Sequence, residues 1–210
     1  MRTGMTRIGV LALQGSFAEH IQAFTALDVA AVAIRLPEQL AGLDGLVIPG
    51  GESTTISHLM AEFALLAPLR EMAGRGFPIW GTCAGMIVLA KRSTDLGLPS
   101  LAVMDISVRR NGVGRQVDSF EADVDVPVLG PPAFRAVFIR APVLLEMGPG
   151  VEALASLENG SVVAAREENL LATAFHPELT LDLRLHRYFL EMALSRAEAR
   201  QEAGALSTAL

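Results

Sequence analysis

Short branched apolar runs alternate with helically spaced apolar residues through the first ninety positions, and this alternation restricts the fold more than any other feature. Ile8 to Leu13 is the first run, closed by Gln14-Gly15. Ser16 then opens a helix, with Glu19 completing a capping box and Phe17, Ile21 and Phe24 on one face. Val29 to Leu36, ended by Pro37, and Gly45 to Ile48 read as the next two strands. Ile56, Leu59, Met60 and Phe63 mark a second helix, broken at Pro68, with a further turn from Arg70 to Ala73. Pro78 to Trp80 is a fourth strand, followed by a helix from Met86 to about Lys91. Such an order predicts βαβ units: an α/β fold with a doubly wound, mostly parallel sheet and helices on both faces.

The second half has a different grain. Val103 to Val108, Val117 to Val126 and Ala136 to Ile139 read as strands separated by turns. Ala153 to Leu157 and Ser161 to Ala165 flank Glu158-Asn159-Gly160, whose Asn-Gly predicts an antiparallel hairpin. Leu170 to Phe175 is a last strand, and a final helix carries Leu181, Leu185, Phe189 and Met192 on one face. Without a repeat or a low-complexity linker, residues 1–196 are expected to form one domain, with 197–210 a frayed, alanine-rich tail.

Composition narrows the function. Apolar residues make up 51% of 210, enough for a sizeable core. A net charge of -6 argues against nucleic acid or an anionic membrane as partner. The chain has no apolar run of membrane-spanning length and no signal-peptide pattern, and its single cysteine suits a reducing cytoplasm. That lone cysteine also excludes a disulfide framework and a cysteine-cluster zinc site, so no metal is expected.

The cysteine sits in Gly81-Thr82-Cys83-Ala84-Gly85, between a predicted strand and a predicted helix. This is the nucleophile-elbow pattern with Cys in place of Ser. A sharp strand-to-helix turn holds the nucleophile in strained geometry, and flanking Cβ atoms would collide with neighbouring chain. The amides at the helix start favour a thiolate. A free cysteine is more often a buried structural residue, and only the elbow reverses that reading.

A thiol nucleophile needs a base. His20 and His58, in predicted helices, and His186, on the last helix, read as helix-surface or boundary residues. His176 opens His176-Pro177-Glu178 directly after the last strand. Pro177 biases His176 to an extended backbone, where residues two apart point the same way, so Glu178 can orient the imidazole. Acyl chemistry also needs oxyanion donors. Pro49-Gly50-Gly51-Glu52-Ser53 follows the third strand on the same edge as Cys83, and the amides of Gly51 and Ala84 are the candidates. Ser53 would at the same time cap the helix that follows. Gly112-Val113-Gly114 lies outside any strand-turn-helix context and is not a dinucleotide site; phosphate-loop and HExxH motifs are absent.

GTCAG with a distant HPE resembles the class I, triad glutamine amidotransferases. IGVLALQGSFAEH, LDGLVIPGGESTTI, RQVDSFEADV, VFIRAP and FHPELT, in that order, are similar to the family of glutaminase subunits of pyridoxal 5'-phosphate synthase. The similarity runs from about Ile8 to Met192. It implies a flavodoxin-like fold and hydrolysis of L-glutamine to L-glutamate and ammonia without a cofactor. It further implies that the ammonia passes to a partner synthase subunit for vitamin B6 biosynthesis. On matching positions Cys83 is the nucleophile, His176 the base and acid, and Glu178 the orienter. Gly51, Glu52 and Ser53 fall in the glutamine-binding block, with Arg110 and the pair Ile139-Arg140. Either arginine could hold the α-carboxylate or be a surface residue. Two rivals stand beside this reading: a triad glutaminase feeding another synthase, and a binding or redox-sensing protein with a reactive elbow cysteine.

Overall fold

The computed structural model describes residues 6–94, 97, 99–110 and 119–208. Strand β1 (Arg7–Leu11) leads into helix α1 (Phe17–Thr25) and back into β2 (Ala30–Ile34), then β3 (Gly45–Ile48). Helices α2 (Ser53–Glu62) and α3 (Leu66–Gly74) precede β4 (Ile79–Thr82), α4 (Ala84–Leu89), β5 (Ala90–Ser93) and β6 (Met104–Arg109). Further on lie β7 (Phe120–Val124), β8 (Phe134–Phe138), β9 (Val143–Met147), β10 (Glu152–Ser156), β11 (Val162–Glu167) and β12 (Leu170–Thr173). Helix α5 (Arg184–Thr208) ends the chain and includes residues 197–208 of the expected tail.

The main sheet has seven strands in the order β10-β11-β12-β4-β3-β1-β2. Pairings β1–β2, β1–β3, β3–β4 and β4–β12 are parallel, while β11 runs antiparallel to both neighbours. Strands β5-β6-β9 form a second sheet, and β7–β8 an antiparallel pair. The expected α/β architecture with antiparallel additions is the one observed.

Alternation along β4 separates the two helical layers. Trp80 and Thr82 point to α1 and α5: Trp80 packs edge-on to His20 and His186, and Thr82 faces His20. Gly81 points the other way, against Gly85 and Leu89 of α4, which in turn packs on α2. The interior strands β3, β4 and β12 are buried at every position. They read as continuous apolar runs because both faces are covered. Trp80 alone, fully buried, contributes about 5 kcal/mol of hydrophobic stabilisation from the surface it removes from water.

Several expectations needed revision. The α2–α3 break comes at Ala64, in a left-handed conformation, and Pro68 lies inside the first turn of α3, where its missing N–H costs nothing. Leu181 lies before α5 and is fully exposed; the buried stripe is Leu185, His186, Phe189, Met192 and Ala193. Strands β5 and β9 carry too little period-two patterning to be read from the sequence, and their partners hold them. Gly112-Val113-Gly114, residues 117–118 of the strand expected at Val117 to Val126, and the start of RQVDSFE lie outside the described residues. Among the described residues, no helix is long and apolar enough to cross a membrane.

Candidate active site

Cys83 is the N-cap of α4 at φ 47 and ψ -105, in the left-handed half of backbone space that a side chain rarely enters. A conformation of this kind costs on the order of 1–3 kcal/mol and persists only where its surroundings dictate it. Here they do: the Cys83 amide donates to the Thr173 carbonyl of β12 at 2.8 Å, extending the β4–β12 ladder past the end of β4. A Cβ on Gly85 would overlap the Ile48 carbonyl, so only glycine lets α4 start this close to β3. The Cys83 thiol faces the carbonyl of Ile139 at 3.7 Å.

His176 is set by its own amide, which donates to the Val137 carbonyl of β8 at 2.8 Å. Its backbone, at φ -105 and ψ 87, avoids the helical region that Pro177 disfavours but falls short of the expected extended conformation, and Pro177–Leu179 then forms a 3-10 turn. The turn, and not a continued strand, brings the Glu178 carboxylate back under the ring. Oε1 of Glu178 lies 2.7 Å from Nδ1 of His176, and the Cys83 side chain stands close enough to the ring to raise its pKa. A Cβ on Gly50 would run into the imidazole, so the Gly50-Gly51 loop packs directly against the base.

Electrostatics follow from this packing. Burial alone would lower the pKa of His176, but the Cys83 sulfur and the Glu178 carboxylate outweigh it and raise the pKa to about 10. Burial pushes Glu178 up, while His20, the His176 bond and the Ser16 hydroxyl together hold it at about 2. His176 and Glu178 therefore face each other as an imidazolium and a carboxylate.

Four neighbours of the triad were not singled out from sequence or were assigned elsewhere. Ser16 makes no side-chain cap for α1; its hydroxyl donates to Glu178 Oε1 instead. His20 and His186, expected at a helix surface or boundary, are fully buried, whereas His58 is exposed beside Glu62. Gln14 lines the pocket and accepts from the Glu52 amide at 2.6 Å.

The pocket over Cys83 has a volume of about 340 Å³, within the range of small-molecule sites. Gly51, Glu52, Ser53, Cys83, Ala84, Arg110, Ile139, Arg140 and His176 all line it, so the sequence-predicted residues converge on one cavity. Glu178 alone stands behind it, beneath His176. Glu52, and not Ser53, caps α2: its carboxylate accepts from the amides of Thr54 and Thr55. Ser53 is the first helical residue, buried with its hydroxyl unpartnered. Glu52 also accepts from the Thr55 hydroxyl and from Arg110 at 2.8 Å each. These four bonds use the carboxylate's whole accepting capacity. Despite the opposing effect of partial burial, the Thr55 and Thr54 bonds bring its pKa to about 2. Arg110 is held further by the Thr54 hydroxyl at 2.8 Å. Arg140 is exposed at the pocket wall, with no ion pair among the described residues. The described residues hold no cluster of metal-ligating groups.

Known proteins are similar to this chain over most of its length. The chain is 58% identical over 186 residues to a protein of Herpetosiphon aurantiacus named pyridoxal 5'-phosphate synthase subunit PdxT, covering 87% of this chain and 98% of the relative. A Moorella thermoacetica protein of the same name is also 58% identical over 186 residues, covering 89% and 98%. A crystal structure of a glutamine amidotransferase superposes with a TM-score of 0.85 at 49% identity, over 89% of this chain and 98% of that one. The profile of the SNO glutamine amidotransferase family spans residues 10–195, from β1 into α5 and across every residue of the pocket, and the chain belongs to that family.

Proposed function

We propose that this chain hydrolyses L-glutamine to L-glutamate and ammonia through a Cys83 thioester, and that it delivers the ammonia to a pyridoxal 5'-phosphate synthase subunit. The observation that carries the reading is Cys83 on its strained elbow, in one pocket with an imidazole whose Nδ1 lies on a buried carboxylate. With the proton resting on His176, the sulfur attacks the side-chain amide carbon of glutamine as a thiolate. Charge develops on the amide oxygen, where the amides of Gly51 and Ala84 are the donors. His176 gives its proton to the departing nitrogen; the C–N bond breaks and ammonia leaves. The now neutral imidazole takes a proton from water, the hydroxide adds to the thioester, and the C–S bond breaks to release glutamate and restore the thiolate-imidazolium pair. Glu178 stays ionised throughout and keeps the ring in register.

For the amino-acid end, Arg110 and Arg140 supply the positive charge that an α-carboxylate needs. Because its acceptor sites are taken, Glu52 acts mainly by holding Arg110 in the pocket wall. The names of the relatives support the partner assignment: each is called a subunit of pyridoxal 5'-phosphate synthase.

Glutamate release by the purified chain, with and without a pyridoxal 5'-phosphate synthase subunit, tests both halves of the proposal. Hydrolysis that rises on adding the synthase, and is abolished in Cys83→Ala, is expected. Hydrolysis indifferent to the synthase would move the chain to another pathway. No turnover in either condition would overturn the reaction itself.

A further inference from the structure

Two buried histidines take no part in the steps above. His20 on α1 and His186 on α5 are both fully buried, in the layer behind the triad and among Phe24, Trp80 and Phe189. Burial of an imidazole in such surroundings favours its neutral form. For His20 burial dominates and lowers the pKa; for His186 burial, reinforced by His20, lowers it to about 3. Each ring therefore has one donor nitrogen and one acceptor nitrogen.

The distances leave one consistent arrangement of protons. Both Oε1 bonds of Glu178 are known: the Ser16 hydroxyl and Nδ1 of His176. Its other oxygen, Oε2, is buried and makes no hydrogen bond among the described residues, with Nε2 of His20 at an ion-pair distance of 3.3 Å. A bare carboxylate oxygen in this interior needs a donor, so the His20 proton belongs on Nε2, where Thr82 Oγ1 also lies at 3.3 Å. Nδ1 of His20 is then an acceptor. It lies 3.0 Å from Nε2 of His186, which must carry the second proton. That leaves Nδ1 of His186 as a lone pair, and it is the His186 nitrogen found buried without a partner. An unpaired acceptor there costs less than an unpaired N–H.

We infer that His20, with its tautomer set by His186, is a positioning residue: it donates to Glu178 Oε2 and so fixes the carboxylate that orients His176. The hydrogen-bond chain runs from α5 through α1 to the HPE turn, and joins three segments far apart in sequence to one imidazole. Its kinetic consequence rests on the glutaminase reading; its proton arrangement does not.

The test combines kinetics and spectroscopy on the full chain with the synthase subunit present. His20→Phe keeps the aromatic packing and removes the donor, and kcat for glutamate release should fall about 10- to 100-fold, as expected for one bond to a charged acceptor. KM for glutamine should stay within about twofold, because His20 is not a pocket residue. His20→Gln, whose amide nitrogen reaches about as far as the imidazole Nε2, should recover part of the loss. His186→Phe, which leaves His20 in place but frees its tautomer, should cost about three- to tenfold. In the wild-type chain, long-range 1H–15N spectra of 15N-histidine should show His20 and His186 neutral with the proton on Nε2. An Nδ1–H tautomer at His20, a wild-type kcat in His20→Phe, or equal losses in His20→Phe and His20→Gln would each overturn the inference. If the wild-type chain releases no glutamate, the glutaminase reading falls, and the histidine spectra still decide whether the hydrogen-bond chain exists.

Discussion

Replacing Glu178 by Gln should remove a specific part of the acid sensitivity of folding. The folded-state pKa of Glu178 is about 2, held below the ordinary value of 4.5 by His20, His176 and Ser16 against the effect of burial. A depressed carboxylate pKa contributes stability above the unfolded value that is lost as pH falls through the folded one. Here the window is pH 4.5 down to 2, and the contribution is about 3 kcal/mol at about 1.4 kcal/mol per pKa unit. Because the side chain is wholly buried, solvent screening removes little of it. By pH 3 roughly 60% of that contribution is gone. Urea unfolding followed by the fluorescence of Trp80, the only tryptophan, reads the stability directly. At pH 6 the Glu178→Gln variant should be less stable by up to about 3 kcal/mol, and the difference should narrow to about 1.4 kcal/mol at pH 3 and vanish only below the folded pKa. Glu52 and Asp182 also titrate low, but both proteins contain them, so their effect cancels in the difference. A stability gap independent of pH would refute the reasoning, since it would mean that Glu178 carries no depressed pKa.

The strain at Cys83 predicts that Cys83→Gly and Cys83→Ala both abolish glutamine hydrolysis, while the glycine variant is more stable by about 1 kcal/mol in the same urea assay. Gly50→Ala drives a methyl group into the His176 ring; kcat should drop by at least about 100-fold with an unchanged circular dichroism spectrum. Arg110→Ala should raise KM for glutamine about tenfold or more, and Arg110→Lys should restore only part of it, because a lysine cannot bond Thr54 and Glu52 from one plane. Steady-state kinetics with the synthase present measures both.

Local chemistry made the first half of the fold and the elbow readable. The branched runs of β1, β3 and β4 are buried on both faces, so their apolar continuity is itself the signal. Glycines 81 and 85 announced the tight turn at Cys83. The proton network behind the triad was not readable in the same way, because it depends on which face meets which across the sheet. Ser16 looked like a helix cap, since a serine before an apolar stripe usually is one; the carboxylate that claims its hydroxyl lies 162 residues away. A trace of His20 was present: it lies one turn before Phe24 and four residues after Ser16, on the stripe that α1 buries. Nothing local distinguishes that placement from an amphipathic boundary. Glu52 likewise looked like a substrate ligand until its four acceptor positions could be counted.

Strand β12 inserts beside β4 although Trp80 and Thr173, which hydrogen-bond across the pair, lie 93 positions apart in sequence. Closing a loop of that length costs about 4 kcal/mol in chain entropy, and it must be met before any β4–β12 contact can repay it. On a ribosome the nucleophile emerges long before its base, and the elbow's anchoring hydrogen bond to Thr173 cannot form until β12 has docked. Chain order thus works as a safeguard: a chain that ends before β12 carries Cys83 without the Thr173 bond that frames it and without His176. Ammonia release is thereby tied to completion of a non-local step of folding.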